Sequence, residues 1–509
     1  MTDHDGPPDH GRPEASPNLD PAISQYQNWP AAQPTATPAA DRPAVPAPPA
    51  SRVTRPVVIA LSVVVALALV STLAWWWLKS QNRPADDPTG SVPTAVLPPT
   101  PLPGQNTATP PLAPSSWART YGGAGEDRFY AVAVAADGGV LAAGDTDSAD
   151  GDITDNQGGR DALLTKLAPD GRLLWTQVYG GEGWDSFEAL AVTADGDIVV
   201  AGYLADGDTT SALVAKLAPD GVFSWIQAYG SAGRSSFEAV AVAADGSVWV
   251  AGDTNSADGY TTVDPDHHYG LLAKFAPDGA FLWSQTHSGD GGDSFTALAM
   301  AADGDIYAAG ATRSADGDGT ADPGQSDALL LKVAPDGSLR WAQAYGGSGD
   351  DAFTALAMAA DGDILAAGST DSADGDIAIN HGGGDALLAK IAPDGTLRWA
   401  QSYGSTDNDW FAAVAVTDNG RIFTAGYTGQ ADGRSLPNAL VAEITPDGTA
   451  VWAQNHGGTG WDSFHALAIA ADGGLLAAGS TNSTDGDLPP SDGQFDLLAV
   501  KLTPDGELG

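Results

Sequence analysis

A tryptophan returns at positions 117, 175, 225, 283, 341, 399 and 452, spaced by 58, 50, 58, 58, 58 and 53 residues. Each one opens the same sentence: Trp-x-Gln-x-Tyr-Gly-Gly-x-Gly-x-Asp-x-Phe, small apolar residues in alternation ending in Ala-Asp-Gly, and a short run ending in Ala-Gly. A loop of variable length follows, then Asp-Ala-Leu-Leu-x-Lys-Leu-Ala-Pro-Asp-Gly. Repetition at this period means that one supersecondary unit is stacked many times, and about 56 residues is enough for a four-stranded propeller blade.

The fifth copy shows the four strands as Phe353–Met358, Ile364–Ala367, Ala386–Ile391 and Leu397–Tyr403, separated by turn residues and without a sustained helical period. Ala-Asp-Gly and Pro-Asp-Gly are tight-turn sequences: glycine supplies the positive φ and aspartate bonds its own backbone. The run after the recurrent phenylalanine, as in Ala131–Ala135 and Ala355–Ala359, is built from small residues that suit the crowded centre of a ring. It is therefore expected to be the innermost strand, with the Trp-x-Gln-x-Tyr strand outermost. The last copy stops before its tryptophan strand and the first begins with an unpaired one at Trp117. One N-terminal and three C-terminal strands are thus expected to complete the seventh blade and remove the open edges. The fold class is all-β, a seven-bladed β-propeller over 117–509.

Tyr345-Gly-Gly-Ser-Gly-Asp-Asp351, Asp361-Gly-Asp-Ile364 and Gly368-Ser-Thr-Asp-Ser372 carry a family likeness. The repeat resembles the bacterial seven-bladed β-propeller repeat family of exported proteins, which implies this fold and a surface or periplasmic scaffold without assigning an activity. The Pro-Asp-Gly-x-Leu-x-Trp hairpin is also similar to repeats of pyrroloquinoline-quinone dehydrogenases and of an outer-membrane assembly lipoprotein, which usually have eight blades.

Three zones precede the repeats. Residues 1–55 are rich in proline and alanine and lack a period, which predicts a disordered cytoplasmic tail. Tyr26 and Trp29 are the residues there that a docking motif would use. Residues 56–79 are expected to form a signal-anchor transmembrane helix, since the uncharged stretch Val57 to Leu78 would span about 33 Å. Trp75, Trp76, Trp77 and Lys79 would mark its exit from the hydrocarbon. Arg42, Arg52 and Arg55 before the span favour a cytoplasmic N-terminus, and a cleaved signal peptide is the competing reading. Residues 80–116 carry ten prolines between 84 and 116, the composition of a semi-rigid extracytoplasmic linker.

The formal charge is −43, and residues 1–116 account for only −2 of it, so the repeats carry −41. Such a surface repels nucleic acid and attracts cations and basic partners. The absence of cysteine excludes disulfides, thiolate metal sites and cysteine nucleophiles.

The loops between second and third strands are long and acidic, and the strand order predicts that they share one mouth of the ring with the Tyr-Gly-Gly connections. Asp145, Asp147, Asp150 and Asp152 in the first copy, and Asp371, Asp374 and Asp376 in the fifth, alternate around glycine in the manner of a calcium loop. They depart from EF-hand spacing, and repeated Asx turns on a solvated rim are the other reading. Asp316, Asp318, Asp485 and Asp487 extend the acidic rim, and His267 and His268 sit in an insertion, Asp264 to Tyr269, whose copies elsewhere lack histidine and where, with Asp264 and Asp266, they could bind a transition metal, a polar exposed loop being the other reading. Those four rim aspartates and the two histidines are the candidate binding face. Asp127, Asp185, Asp293, Asp351, Asp409 and Asp462 recur two residues before phenylalanine, with Ser235 in the third copy. Recurrence points to an inter-blade structural hydrogen bond, and the phenylalanine and tryptophan series are read as core.

No phosphate loop, zinc spacing or hydrolase triad is apparent. The expectation is a monomeric, membrane-anchored binding or scaffold module, and not an enzyme, for a protein or cell-envelope polymer. The alternatives are a calcium-dependent adhesion protein, a propeller enzyme (a quinone-dependent oxidoreductase, or a lyase or hydrolase) using acidic mouth loops, and signal transmission through the tail.

Overall fold

The computed structural model describes residues 116–508, apart from 155, 208, 231–232, 257–266, 288–290, 315–324, 378, 430–435 and 492–493. The expected tail, the span and nearly all of the linker lie outside the described residues, as do Asp316 and Asp318. Among the described residues no helix is long and apolar enough to cross a membrane.

The strands, numbered β1 to β28 along the chain, form seven antiparallel sheets of four. Blade 1 comprises β2 (Asp127–Val134), β3 (Val140–Thr146), β4 (Asp161–Leu167) and β5 (Leu173–Tyr179), hydrogen-bonded in that order. Blades 2 to 6 repeat it. The seventh blade has the order β1-β28-β27-β26, so β1 (Trp117–Tyr121) lies outside β28 (Asp496–Leu502), β27 (Leu475–Thr481) and β26 (Asp462–Ile469). Trp117 stands opposite Lys501 and Tyr121 opposite Leu497. The closure expected from the unpaired tryptophan strand is the one observed.

The core lies between the blades. Phe187 of blade 2, for example, packs in one cluster with Leu164 of blade 1 and Val200 and Leu213 of blade 2. The seven recurrent phenylalanines are at most 1% exposed. Loss of one such ring would cost about 3–5 kcal/mol.

Every inner strand breaks register at the residue after this phenylalanine, between Phe129 and Ala131 in blade 1 and between Phe187 and Ala189 in blade 2. A β-bulge of this kind re-aims one side chain. It also explains Ala-Gly: a Cβ on Gly144, Gly202 or Gly368 would come 1.8–1.9 Å from the carbonyl oxygen just before the phenylalanine of the facing strand. Only glycine lets the second strand pass the bulge. At the opposite end, Gly138 of an Ala-Asp-Gly turn and Gly171 of a Pro-Asp-Gly turn have φ of +79° and +82°, as those turns require.

The tryptophans join the core as expected, Trp117 and Trp225 buried and the other five packed against its clusters, and four of them also clasp the next blade. The indole N–H of Trp117, Trp225, Trp341 and Trp399 donates to the carbonyl of Pro169, Pro277, Pro393 and Pro446, each in the Pro-Asp-Gly turn of the following blade, at 3.0–3.2 Å.

Candidate functional site

One mouth of the ring is formed by the loops that lead into the inner strands and by those between second and third strands, as the strand order predicts. They are fastened to one another by a repeated clasp. Asp462 accepts from Thr481, from Ser483 at 2.7 Å and from the backbone N–H of Gly458 at 3.0 Å. Asp127 accepts likewise from Thr146, Ser148 and Gly123. In blade 3, Ser235 meets Thr254 at 2.8 Å instead. The carboxylate thus bonds mainly within its own blade. The link to the preceding blade, expected of the side chain, is made by its backbone N–H: Asp127 to the Phe495 carbonyl at 2.7 Å and Asp185 to Arg160 at 2.7 Å. The reason is geometric, because the first residue of the inner strand faces its partner on the second strand, Thr146 in blade 1.

The rim aspartates have similar duties. Asp147 accepts from the Glu126 N–H and Asp150 from Ala124 at 2.8 Å. Asp374 accepts from Ser348 at 2.7 Å and Asp485 from Thr459 at 2.8 Å. The backbone N–H groups of Asp152 and Asp376 donate to Gly122 and Gly346. Asp371 is held above the usual carboxylate range by burial and by Asp350 and Asp385. Asp145 is different: it is 2% exposed and accepts from the Tyr130 hydroxyl at 3.1 Å, with Arg160 at 3.6 Å. Asp487 holds His456 at 2.8 Å, and His268 meets Asp253 at 3.0 Å. His267 directly follows residues 257–266, which lie outside the described residues. Among the described residues no three acidic or histidine side chains are grouped to hold a metal ion.

What distinguishes one arc of the mouth is a position that sequence reading passed over. The bulged residue after each phenylalanine is Tyr130, Glu188, Glu238, Thr296, Thr354, Ala412 and His465 in blades 1 to 7. Thr296 and Thr354 donate to the phenylalanine carbonyl of the next blade, at 2.7 Å each. His465 does the same through Nδ1 to Phe129 at 2.9 Å, takes Ser463 on Nε2 at 2.9 Å, and stacks on Tyr130 with ring centroids 5.5 Å apart. Burial holds its imidazole below the usual pKa, helped by the Arg128 charge. In blades 2 and 3 the same seat holds a glutamate. Burial pushes the Glu188 carboxyl well above the usual range, and the neighbouring Glu238 adds to the shift. Glu238 is raised by burial too, and Asp253 adds its repulsion. Asp145 is pushed up to about 6 by burial despite the Arg160 guanidinium.

Two further columns set blades 1 to 3 apart from blades 4 and 5. The residue before the clasp aspartate or serine is Trp461, Glu126, Trp184 and Arg234 in blades 7, 1, 2 and 3, against Gly292 and Asp350 in blades 4 and 5. On the second strand, Asp145, Tyr203 and Asp253 of blades 1 to 3, with Tyr427 of blade 6, stand where blades 4, 5 and 7 have Ala311, Ser369 and Ser480. Blades 4 and 5 therefore present mostly small residues, with Asp350 the exception, and blades 1 to 3 present large and charged ones at all three columns, joined at two of them by Trp461 and His465 of blade 7.

That arc carries two open clefts. One, of about 610 Å³, lies between Asp147, Asp150, Arg160 and Trp184. The other, of about 680 Å³, is bounded by Trp184, Tyr203, Arg234, Glu238, Asp253 and His268. Trp184, 63% exposed, walls both and has Arg160 5.7 Å over its ring. Arg160 also bonds Glu126 at 2.6 Å, and Arg128 reaches the same carboxylate at 2.9 Å.

No family model matches the chain. It is 30% identical over 151 residues to the regulatory protein FlaEY of Caulobacter vibrioides, an alignment covering 26% of this chain and 16% of that protein. The chain thus matches under a fifth of that relative's length. Among solved structures it is similar to BamB of Moraxella catarrhalis, with 15% identity, 74% of this chain and 83% of that one covered, and a TM-score of 0.34. It is also similar to the extracellular domain of a protein assigned as a one component system from B. thetaiotaomicron, with 11% identity, 78% and 43% coverage, and a TM-score of 0.42.

Proposed function

We propose that the chain is a binding module, not an enzyme, which engages a protein or cell-envelope polymer through the mouth arc of blades 7, 1, 2 and 3. The uncharged span at 57–78 and the proline-rich linker would hold it outside the cytoplasm. The observation that carries this reading is the unequal decay of the repeat. Seven copies share the turns and bulges that the fold needs, yet at the variable mouth positions large and charged side chains gather on one arc. An exposed tryptophan beside a polar cleft is the kind of anchor that recognition surfaces use.

Position-specific photo-crosslinking in the producing cell tests it. A benzophenone side chain in place of Trp184 or Trp461 should yield discrete adducts, and the same group in place of Asp350, the equivalent position of blade 5, should yield none. Equal yields at 184 and 350 would remove the arc from consideration.

A further inference from the structure

The cleft between blades 2 and 3 combines features that the rest of the mouth does not. Its deep side holds Glu238, Asp253 and Ser236, its walls are Trp184 and Tyr203, and its outer edge carries Arg234 and His268. Burial first, and then the neighbouring Glu238 charge, disfavour ionisation of Glu188. Asp145 from blade 1 and Asp253 from blade 3 add to the negative field, and the Tyr203 hydroxyl is held un-ionised by burial and by the same carboxylates.

Among the described residues no basic side chain forms an ion pair with either glutamate. Arg160 and Arg128 are engaged with Glu126, Arg160 leans towards Asp145, and His268 is on Asp253. Arg234 is exposed at the rim, where water and salt screen it, while charges inside the ring are screened far less. A half-buried carboxylate without an ion-pair partner, lining a cleft with aromatic walls, is complementary to a compact cation: the carboxylate supplies charge, and the ring faces attract it through their quadrupoles.

We propose that this cleft receives a basic side chain, arginine or lysine, presented by a polypeptide partner, with Glu238 as its counter-ion, the neighbouring Glu188 adding to the negative field, and Trp184 and Tyr203 as its walls. The proposal deepens the binding-face reading and rests on it. A polypeptide is favoured as the source because the −41 charge of the repeats steers basic segments towards the ring.

A proton linkage follows. The pair holds a proton above the ordinary glutamate range, and a bound cation favours the ionised form, so binding expels that proton and strengthens as pH rises.

The test is calorimetric titration of the full chain in detergent micelles with an acetylated, amidated Gly-Arg-Gly peptide at pH 7, in two buffers of different ionisation enthalpy. The peptide should bind with heats that differ between the buffers. The citrulline analogue, isosteric and neutral, should bind at least tenfold more weakly. Glu238→Gln should weaken arginine binding at least tenfold and abolish the buffer dependence, Glu188→Gln should lessen both, and Lys390→Ala on the opposite face should change neither. Because glutamine keeps the size of the side chain, a melting temperature no lower than that of wild type separates loss of binding from loss of fold. Citrulline binding as tightly as arginine, unchanged affinity in Glu238→Gln, or heats identical in the two buffers would overturn the proposal. Adducts at 184 together with any of those results would leave the binding face standing and remove only the cation.

Discussion

The two faces of the ring treat aspartate in opposite ways. On the face of the Ala-Asp-Gly and Pro-Asp-Gly turns, acids are met by lysines from the third strand: Asp137 by Lys166 at 2.6 Å, Asp361 by Lys390 at 2.7 Å and Asp197 by Lys216 at 2.9 Å. The lysine bonds hold Asp137 and Asp361 below the usual carboxylate range. Blade 6 reverses the polarity and keeps the balance, with Arg421 on Glu443 at 2.7 Å. On the mouth face burial raises Asp127, Asp351, Asp145, Glu188 and Glu238. A face that neutralises itself serves the blade, and one that stores uncompensated charge at unequal positions is available to a ligand.

The sharpest difference between the faces should appear on removing one acid from each pattern. Asp462→Ala would strand the Thr481 and Ser483 hydroxyls and the Gly458 N–H inside the mouth, a loss of about 3 kcal/mol. Lys390→Ala breaks an ion pair whose acid is 55% exposed, and screening limits its cost to about 0.5 kcal/mol. Thermal unfolding of the full chain should show a drop of several degrees for the first and almost none for the second; similar drops would break the comparison.

The pH response sharpens it next. A carboxyl whose pKa is raised by folding contributes stability that is complete below its unfolded value and is lost as pH rises through its folded value. Glu188 and Glu238 should therefore make the wild type melt lower as pH climbs from below 4.5 through neutrality. Glu188→Gln should flatten that slope and melt higher than wild type at pH 8. A slope unaffected by the substitution would show that the pair is ionised in the native ring.

His465 gives a smaller effect of opposite sign. Its folded pKa lies below the ordinary value, so its contribution is complete above pH 6.5 and falls as the pH is lowered through and below it. His465→Gln should reduce the acid loss, as read from melting temperatures at pH 5 and 7.5; an unchanged difference would contradict the neutral tautomer that bonds Phe129.

The fold was legible because each element of the repeat answers a backbone demand that residue type reveals: Pro-Asp-Gly a turn, Ala-Gly the passage of a bulge, the orphan Trp117 strand a ring closure. The clasp was half legible. Recurrence marked Asp127 and its equivalents as structural, but the donors, Thr146 and Ser148, lie about twenty residues away in the motif Thr-x-Ser, and only the antiparallel register brings them opposite. The glutamates were missed because Phe-x-Ala reads as small apolar alternation, and the variable letter lies inside a strand expected to be uniform. His267 and His268 stand out in the sequence instead, as histidines that the other copies lack. Comparing the seven copies column by column, rather than looking for insertions, would have shown Glu188 and Glu238 in a seat that holds threonine in blades 4 and 5.

The most direct measurement makes blades 2 and 3 into copies of blade 5 at those columns. Trp184→Asp, Glu188→Thr, Arg234→Asp and Glu238→Thr together would be assayed by crosslinking from a benzophenone in place of Trp461. The account predicts a ring that melts no lower at neutral pH and whose adducts at 461 disappear. Adducts at wild-type yield would contradict the claim that this arc is where the protein meets its ligand.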